Sequence, residues 1–369
     1  MNLCGVESAA MSQIEDERKA ADLEQVLPAT PTGAVVFDEP DQPLLRRIQR
    51  FLHVYPTVVP FVVLLVGIAL GATVNWTRFT TGSNLSTILL QVTIIGILGI
   101  AQTLIILTAG IDLSVGIVMV LSSIVMGRLS VTLGWPVEVG FLAGILVGTA
   151  CGFINGTLVT RLRMPPFIVT LGTLSIFTAL NTWYSESESI RNVDLQDKAS
   201  FLLAMGEPIQ IGTARIIYGS VLMLVIAAIV WYVLNWTAFG RHVYAVGDDR
   251  EAARLAGING DRTLLKVYVI AGVVSAIAGW VLIGRVGAIS PTSGQDANLD
   301  SITAVVIGGT SLFGGRGSII GTLIGALIVG VFRSSVSLAG LDVLWQQFAV
   351  GVLVIVAVAL DQWIRKVSA

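Results

Sequence analysis

The sequence predicts an all-α protein, a polytopic bundle of transmembrane helices with about ten spans. Three observations predict it. Of 369 residues, 54% are hydrophobic and only 12% charged, with a mean hydropathy of +0.83, where soluble domains carry about 25% charged residues. Uncharged runs such as 58–74, 88–111 and 216–236 approach the roughly 20 apolar residues that a bilayer crossing needs. The alternation over about 10 positions that marks a membrane β-barrel is absent.

Taken in order, residues 1–45 hold nine acids against Arg18 and Lys19, with Pro28, Pro31, Pro40 and Pro43 among them. Such a segment buries too little apolar surface to offset chain entropy, so a disordered acidic cytoplasmic tail is expected. No charged start followed by an apolar core precedes residue 54, so the first span, not a cleaved signal peptide, is expected to insert the chain. Residues 46–369 then form the transmembrane domain. Apolar stretches between polar breaks place spans near 55–75, 86–108, 113–133, 138–160, 166–184, 215–236, 267–289, 301–313, 319–338 and 343–361. The 301–313 segment is short for a crossing and suits a broken or re-entrant helix shielded by its neighbours.

Lys and Arg near span ends are retained on the cytoplasmic side. With the N-terminus inside, thirteen fall on inner loops and four, Arg78, Arg191, Lys198 and Arg215, on outer ones. An even number of spans with both termini cytoplasmic is therefore expected. The 185–214 loop then faces outward and the 237–266 loop faces the cytoplasm.

Gly144, Gly148, Gly152 and Gly156 stand four apart on one span, and Gly317, Gly321 and Gly325 on another. Each series reads as a bare stripe for helix packing. Asp112 introduces a span before the first stripe and Asp300 one before the second. Two matched acids and a glycine pattern are the whole basis for reading the blocks as an inverted repeat.

No Gly-Lys dipeptide occurs, so the phosphate loop G-x-x-x-x-G-K-[ST] is excluded. The glycine-rich stretch from Gly308 to Ser318 reads as packing plus a tight turn. His53 and His242 belong to no catalytic constellation, and Cys4 and Cys151 have no metal-ligand spacing. No catalytic residue, metal or cofactor is expected, and no basic patch suggests nucleic acid. Asp112, Glu138, Asp300, Asp342 and Asp361 all lie near span ends, leaving span centres without a carboxylate to run an ion relay. The driving energy is thus expected from a separate subunit. Arg128, Arg285 and Arg333 lie within spans, where they either snorkel to headgroups or line an outward-opening cavity. Gln91, Gln102, Asn155 and Thr170 are path residues by chemistry, or equally interhelical hydrogen-bond partners. The stretch GRHVYAVGDDREAARLAG at 240–257 has acids, then Ala252, Ala253, Leu255 and Ala256, then a stop at Gly257. That pattern is a short helix between spans, either an ordinary surface helix or a docking element.

With AGIDLSVG at 109–116, NG-x-L-V at 155–159, PPFIVTLGT at 165–173, GRHVYAVG at 240–247, EAARLAGI at 251–258 and AVVIGGTSLFGGRGSIIGTLIGAL at 304–327, the chain resembles bacterial ABC sugar permeases of the ribose, xylose, arabinose and fructose class. The wording is most similar to fructose-type members, and the resemblance covers nearly everything after residue 50. It implies an inner-membrane permease that is a homodimer, a cytoplasmic ATP-binding subunit and a periplasmic sugar-binding protein. It also implies that Glu251, Ala252, Ala253 and Gly257 match the coupling core E-A-A-x-x-x-G, although no I-x-L-P follows Gly257. The expected substrate path includes Asp112, Asn155, Arg285 and Gln102. The cargo by resemblance is fructose first, then ribose, xylose or mannose. An ion-coupled secondary sugar transporter is the alternative, and a membrane enzyme or structural subunit a second one.

Overall fold

Each predicted crossing carries a helix, and the ends of those helices follow local capping chemistry more than hydropathy. The computed structural model describes residues 58–294 and 296–365. The acidic tail expected over 1–45, Cys4 and His53 lie outside the described residues. In chain order the elements are α1 (Val58–Val74), a single turn α2 (Trp76–Phe79), α3 (Gly82–Leu107), α4 (Val115–Gly127), α5 (Val137–Arg161), α6 (Pro166–Ser185) and the short α7 (Asn192–Lys198) and α8 (Ser200–Leu203). Then follow strands β1 (Pro208–Ile211) and β2 (Ala214–Ile217), α9 (Tyr218–Trp236), α10 (Ala238–Asp248), α11 (Arg250–Leu255), α12 (Gly260–Val286), α13 (Ala297–Ile307), α14 (Ile319–Leu338) and α15 (Val343–Arg365).

Among the described residues seven helices are long and apolar enough to cross a membrane: α3, α4 with its π-helical continuation to Thr132, α5, α6, α9, α12 and α14. Apolar α1 has 17 residues and α13 has 11. At 1.5 Å per residue α13 spans only about 16 Å, too short for a crossing of about 30 Å. The 301–313 segment is thus helical only to Ile307, and the turn-forming glycines Gly309, Gly314 and Gly315, all at positive φ, follow it.

Three boundaries differ from the sequence expectation. Helix α12 starts at Gly260, not 267, because Asn259 accepts a hydrogen bond from the Arg262 amide at 2.9 Å and caps a charged first turn. Its first two turns are helical yet polar, so hydropathy leaves them in the loop. Residues 208–217 form a two-stranded antiparallel hairpin rather than loop and helix. Its two-residue turn has Gly212 at φ +61°, the conformation such turns require of their first central residue. Finally, Gly317 lies before α14, against the Thr310 side chain, and so is not part of a helical stripe with Gly321 and Gly325.

The bundle is built around α3, which is apolar on every face and buried along most of its length. It packs against α9, α12, α13 and α14. Buried hydroxyl pairs fix these contacts: Thr93 with Ser220 at 2.6 Å and Thr103 with Thr322 at 2.6 Å. Ser334 donates to Asn84 Oδ1 at 2.7 Å. A second layer packs α5 on α4 and α12. There the first glycine series does what a bare stripe permits. A Cβ on Gly152 would lie 2.3 Å from the Tyr268 carbonyl oxygen, and one on Gly148 2.7 Å from that of Gly272. In the same way Gly321 and Gly325 admit the carbonyls of Gly308 and Ala304. Outward faces of α5, α6 and α9 expose Leu146, Phe167, Ile168, Leu224, Ile229 and Trp236. Hydrocarbon solvates such a surface without cost.

Candidate functional site

Between α3 and α4 the chain is irregular from Thr108 to Ser114 and yet exposed only at Ala109, with Thr108, Gly110, Asp112 and Ser114 buried. Irregular backbone at membrane depth is tolerated only where protein satisfies its polar groups. Side chains from four helices do so here. Thr170 on α6 accepts from the Leu113 amide and donates to the Ile111 carbonyl, both at 3.1 Å. Asn298 on α13 donates to the Leu113 carbonyl at 2.6 Å. The Gln102 amide on α3, with its nitrogen toward the Asp112 carbonyl, brackets that residue's backbone through two bonds of 3.2 Å. The Asp112 carboxylate accepts from the Ser114 amide and hydroxyl, each at 2.6 Å, and Asn155 on α5 donates to the Ser114 hydroxyl at 2.8 Å. Asp112, Gln102 and Asn155, three of the four expected path residues, therefore meet in one buried network that holds the break in place.

The 237–266 loop is mostly helical. The Thr237 hydroxyl caps α10 and the Asp249 carboxylate caps α11, accepting from the amides of Glu251 at 2.8 Å and Ala252 at 3.0 Å. Gly257 at φ +82° closes α11, its amide donating to the Arg254 carbonyl at 3.0 Å. Ala253 is buried, while Glu251, Ala252, Arg254 and Leu255 are exposed, Leu255 to 79%. Among the described residues Glu251 pairs with Arg254 on the same helix.

Helix α10 seats this exposed turn on the bundle through Val243, Val246 and Gly247. A Cβ on Gly247 would fall 1.7 Å from the Leu107 carbonyl oxygen, which also accepts from the Gly315 amide at 3.0 Å. Tyr244 donates its hydroxyl to the Gly317 carbonyl at 2.9 Å, and burial pushes its phenol up, so that it stays a donor. Three separate stretches, 107–114, 240–248 and 308–317, thus meet at one end of the bundle.

Arg285 lies elsewhere. On α12 it is seventeen residues, about 25 Å, beyond Tyr268, whose hydroxyl sits beside Gly110. It lines a cavity of about 360 Å³ with Gln91, Asp296, Asp300 and Arg333. Arg333 Nη2 is 2.7 Å from Asp300 Oδ1. Arg128 is not in this cavity: it pairs with Glu186 at 2.6 Å and donates to the Ser185 carbonyl at 2.9 Å. Asp112 and Asp300 do stand near helix ends, as expected, but both are only 4% exposed. Sequence reasoning missed the Asp300–Arg333 pair, although a signal existed: an arginine inside a span requires a nearby carboxylate or carbonyl. It also missed Asn298 and helix α10, since neither carries a motif of its own. Among the described residues no group of His, Cys, Asp and Glu is arranged to hold a metal ion.

The family described as branched-chain amino acid transport system / permease component matches residues 84–358. The chain is similar to the fructose import permease protein of Rhizobium meliloti, 52% identical over 94% of this chain and 97% of the relative. Its identity to the ribose import permease protein of Bacillus subtilis is 37%, over 88% of this chain and 98% of the relative. To the xylose transport system permease protein of Escherichia coli K12 it is 31%, over 84% and 93%. No solved structure matches the chain.

Proposed function

Because the chain belongs to this family of transport permease components, we propose that it is the multi-pass inner-membrane permease of an ATP-driven importer that carries a monosaccharide. Fructose is the first candidate cargo, then ribose, xylose or mannose. The chain is a transport subunit and not an enzyme. ATP is hydrolysed by a cytoplasmic partner, and a periplasmic binding protein delivers the sugar.

The observation that carries this reading is the exposed turn α11, seated by α10 on the junction with 107–114 and 308–317. Glu251, Ala252, Ala253 and Gly257 form the coupling element: Asp249 and Gly257 fix its ends, Ala253 anchors it, and Glu251 and Ala252 meet the ATPase. A push on α11 moves α10 as a lever, because Gly247 contacts the end of α3 without an intervening side chain. The displacement reaches the break at Asp112 and rearranges its hydrogen bonds as access switches. Gln102, Asn155 and Asp112 line the path when that break opens, and Arg285 lines it farther out, in the cavity that Asp296 and Asp300 share with it. The coupling end is cytoplasmic and the Arg285 end outer, with both chain termini inside and ten crossings, the short α13 completing its crossing through the irregular stretch 308–317 that reaches Leu107. The common setting of Asp112 and Asp300, each opening a helix that packs on a glycine-bearing neighbour, supports an inverted repeat. Two copies, giving two coupling turns for an ATPase pair, make the working permease.

The test is uptake of labelled fructose, ribose, xylose and mannose into vesicles holding the permease, its ATPase and its binding protein. Uptake of at least one sugar is expected only with ATP supplied to the ATPase. Uptake driven by an imposed ion gradient without nucleotide would instead establish the secondary-transporter alternative.

A further inference from the structure

The cavity between α3, α12, α13 and α14 carries more polar chemistry than packing requires. Two arginines and two aspartates face it, so its wall has no net charge to select an ion. Asp300 is engaged by Arg333 Nη2, but hydrogen-bonding capacity is left over. Gln91 Oε1 and Arg333 Nε are buried without a partner, and Arg285 makes no hydrogen bond or ion pair among the described residues. Unmatched donors and an unmatched acceptor in one cavity cost free energy unless a ligand completes them.

We propose that this cavity is a low-affinity monosaccharide site on the outer part of the path, with Arg285 and Arg333 Nε donating to sugar oxygens and Gln91 Oε1 accepting from a hydroxyl. A hydroxyl both donates and accepts, which is what the mixed set of free groups demands. Ile94, Ile95 and Leu282 supply an apolar wall for the C–H face of a sugar. The volume falls in the ligand-pocket range of about 300–1,000 Å³. Asp300 is a positioning residue: through Nη2 it holds the Arg333 guanidinium in the cavity wall. Weak binding suits a station that must also release its cargo. The inference rests on the sugar-importer reading above and adds the residues that handle the sugar.

The test uses the complex with its ATPase and binding protein, with Cys4→Ser and Cys151→Ser introduced and Thr292→Cys placed on the cavity wall. In detergent, fructose, ribose, xylose and mannose are each tried against labelling by a water-soluble thiol reagent, with leucine as the comparison. At least one sugar is expected to slow labelling about threefold, and leucine to leave it unchanged. Gln91→Leu and Asp300→Asn are each expected to lower uptake about tenfold, the cost of one buried hydrogen bond. Gly172→Leu, outside the site and with open space around it, should keep uptake and ATP hydrolysis stimulated by the loaded binding protein within about twofold of the parent. Labelling that no sugar slows, protection by leucine alone, or undiminished uptake in both variants overturns the site. If the parent complex imports sugar and the cavity is unprotected, only this inference falls. If the parent imports none, the importer reading falls with it.

Discussion

At the residue scale, the network around Asp112 shows how a carboxyl is held in the interior of a membrane protein. Every oxygen of the group points at a donor on its own chain segment or on Asn155. Removing Asn155 leaves the Ser114 hydroxyl and Asp112 Oδ2 short of a donor in a site that excludes water. Asn155→Leu is therefore expected to cost about 1–3 kcal/mol, visible as a lowered unfolding temperature in detergent; an unchanged value would show that the break rests on Gln102, Thr170 and Asn298 alone. The polar character of these residues is legible in the sequence. Their meeting is not, because Asn298 and Leu113 are brought together across 185 positions by helix packing that no local pattern encodes.

At the element scale, hydropathy makes the long helices legible since each runs for about 20 largely apolar residues, whether it faces lipid or, like α3, its neighbouring helices. It fails where an element is helical but polar, as in the first turns of α12, or where a small hairpin is held by β pairing and by the Arg215 amide donating to Ser86 at 2.7 Å. Glycine spacing predicts the close contact of α5, yet not its partner, which is α12. Substituting Gly152→Leu places a side chain where the Tyr268 carbonyl already stands. Loss of folded permease from the membrane is expected, measured as detergent-extractable monodisperse protein. Gly172→Leu, at a position with open space around it, should leave that yield unaltered.

For the molecule as a whole, the proposed function has energy enter at one turn of helix and act at a distance. Glu251 contributes little to the fold, since its pair with Arg254 is solvent-exposed and screened by water and salt. The Glu251→Lys variant is accordingly expected to insert normally but to lose most ATP-driven uptake, with ATP hydrolysis no longer stimulated by the loaded binding protein. Retention of both activities would remove Glu251 from the docking face. Overall architecture, and the need for an energy-supplying partner, follow from composition and from the missing phosphate loop. The 360 Å³ cavity does not, because its wall is assembled from four helices and a loop far apart in the chain.

The break between α3 and α4 also has a consequence for biogenesis. The Leu113 carbonyl finds its donor in Asn298, 185 residues downstream. At ribosomal rates of about 5–20 residues per second, on the order of ten to forty seconds pass before that donor is synthesised. Throughout that interval the nascent break is short of one shielding group, so the early helices must linger beside the translocation machinery, or in a hydrated groove of an insertase, until the later half arrives to seal them.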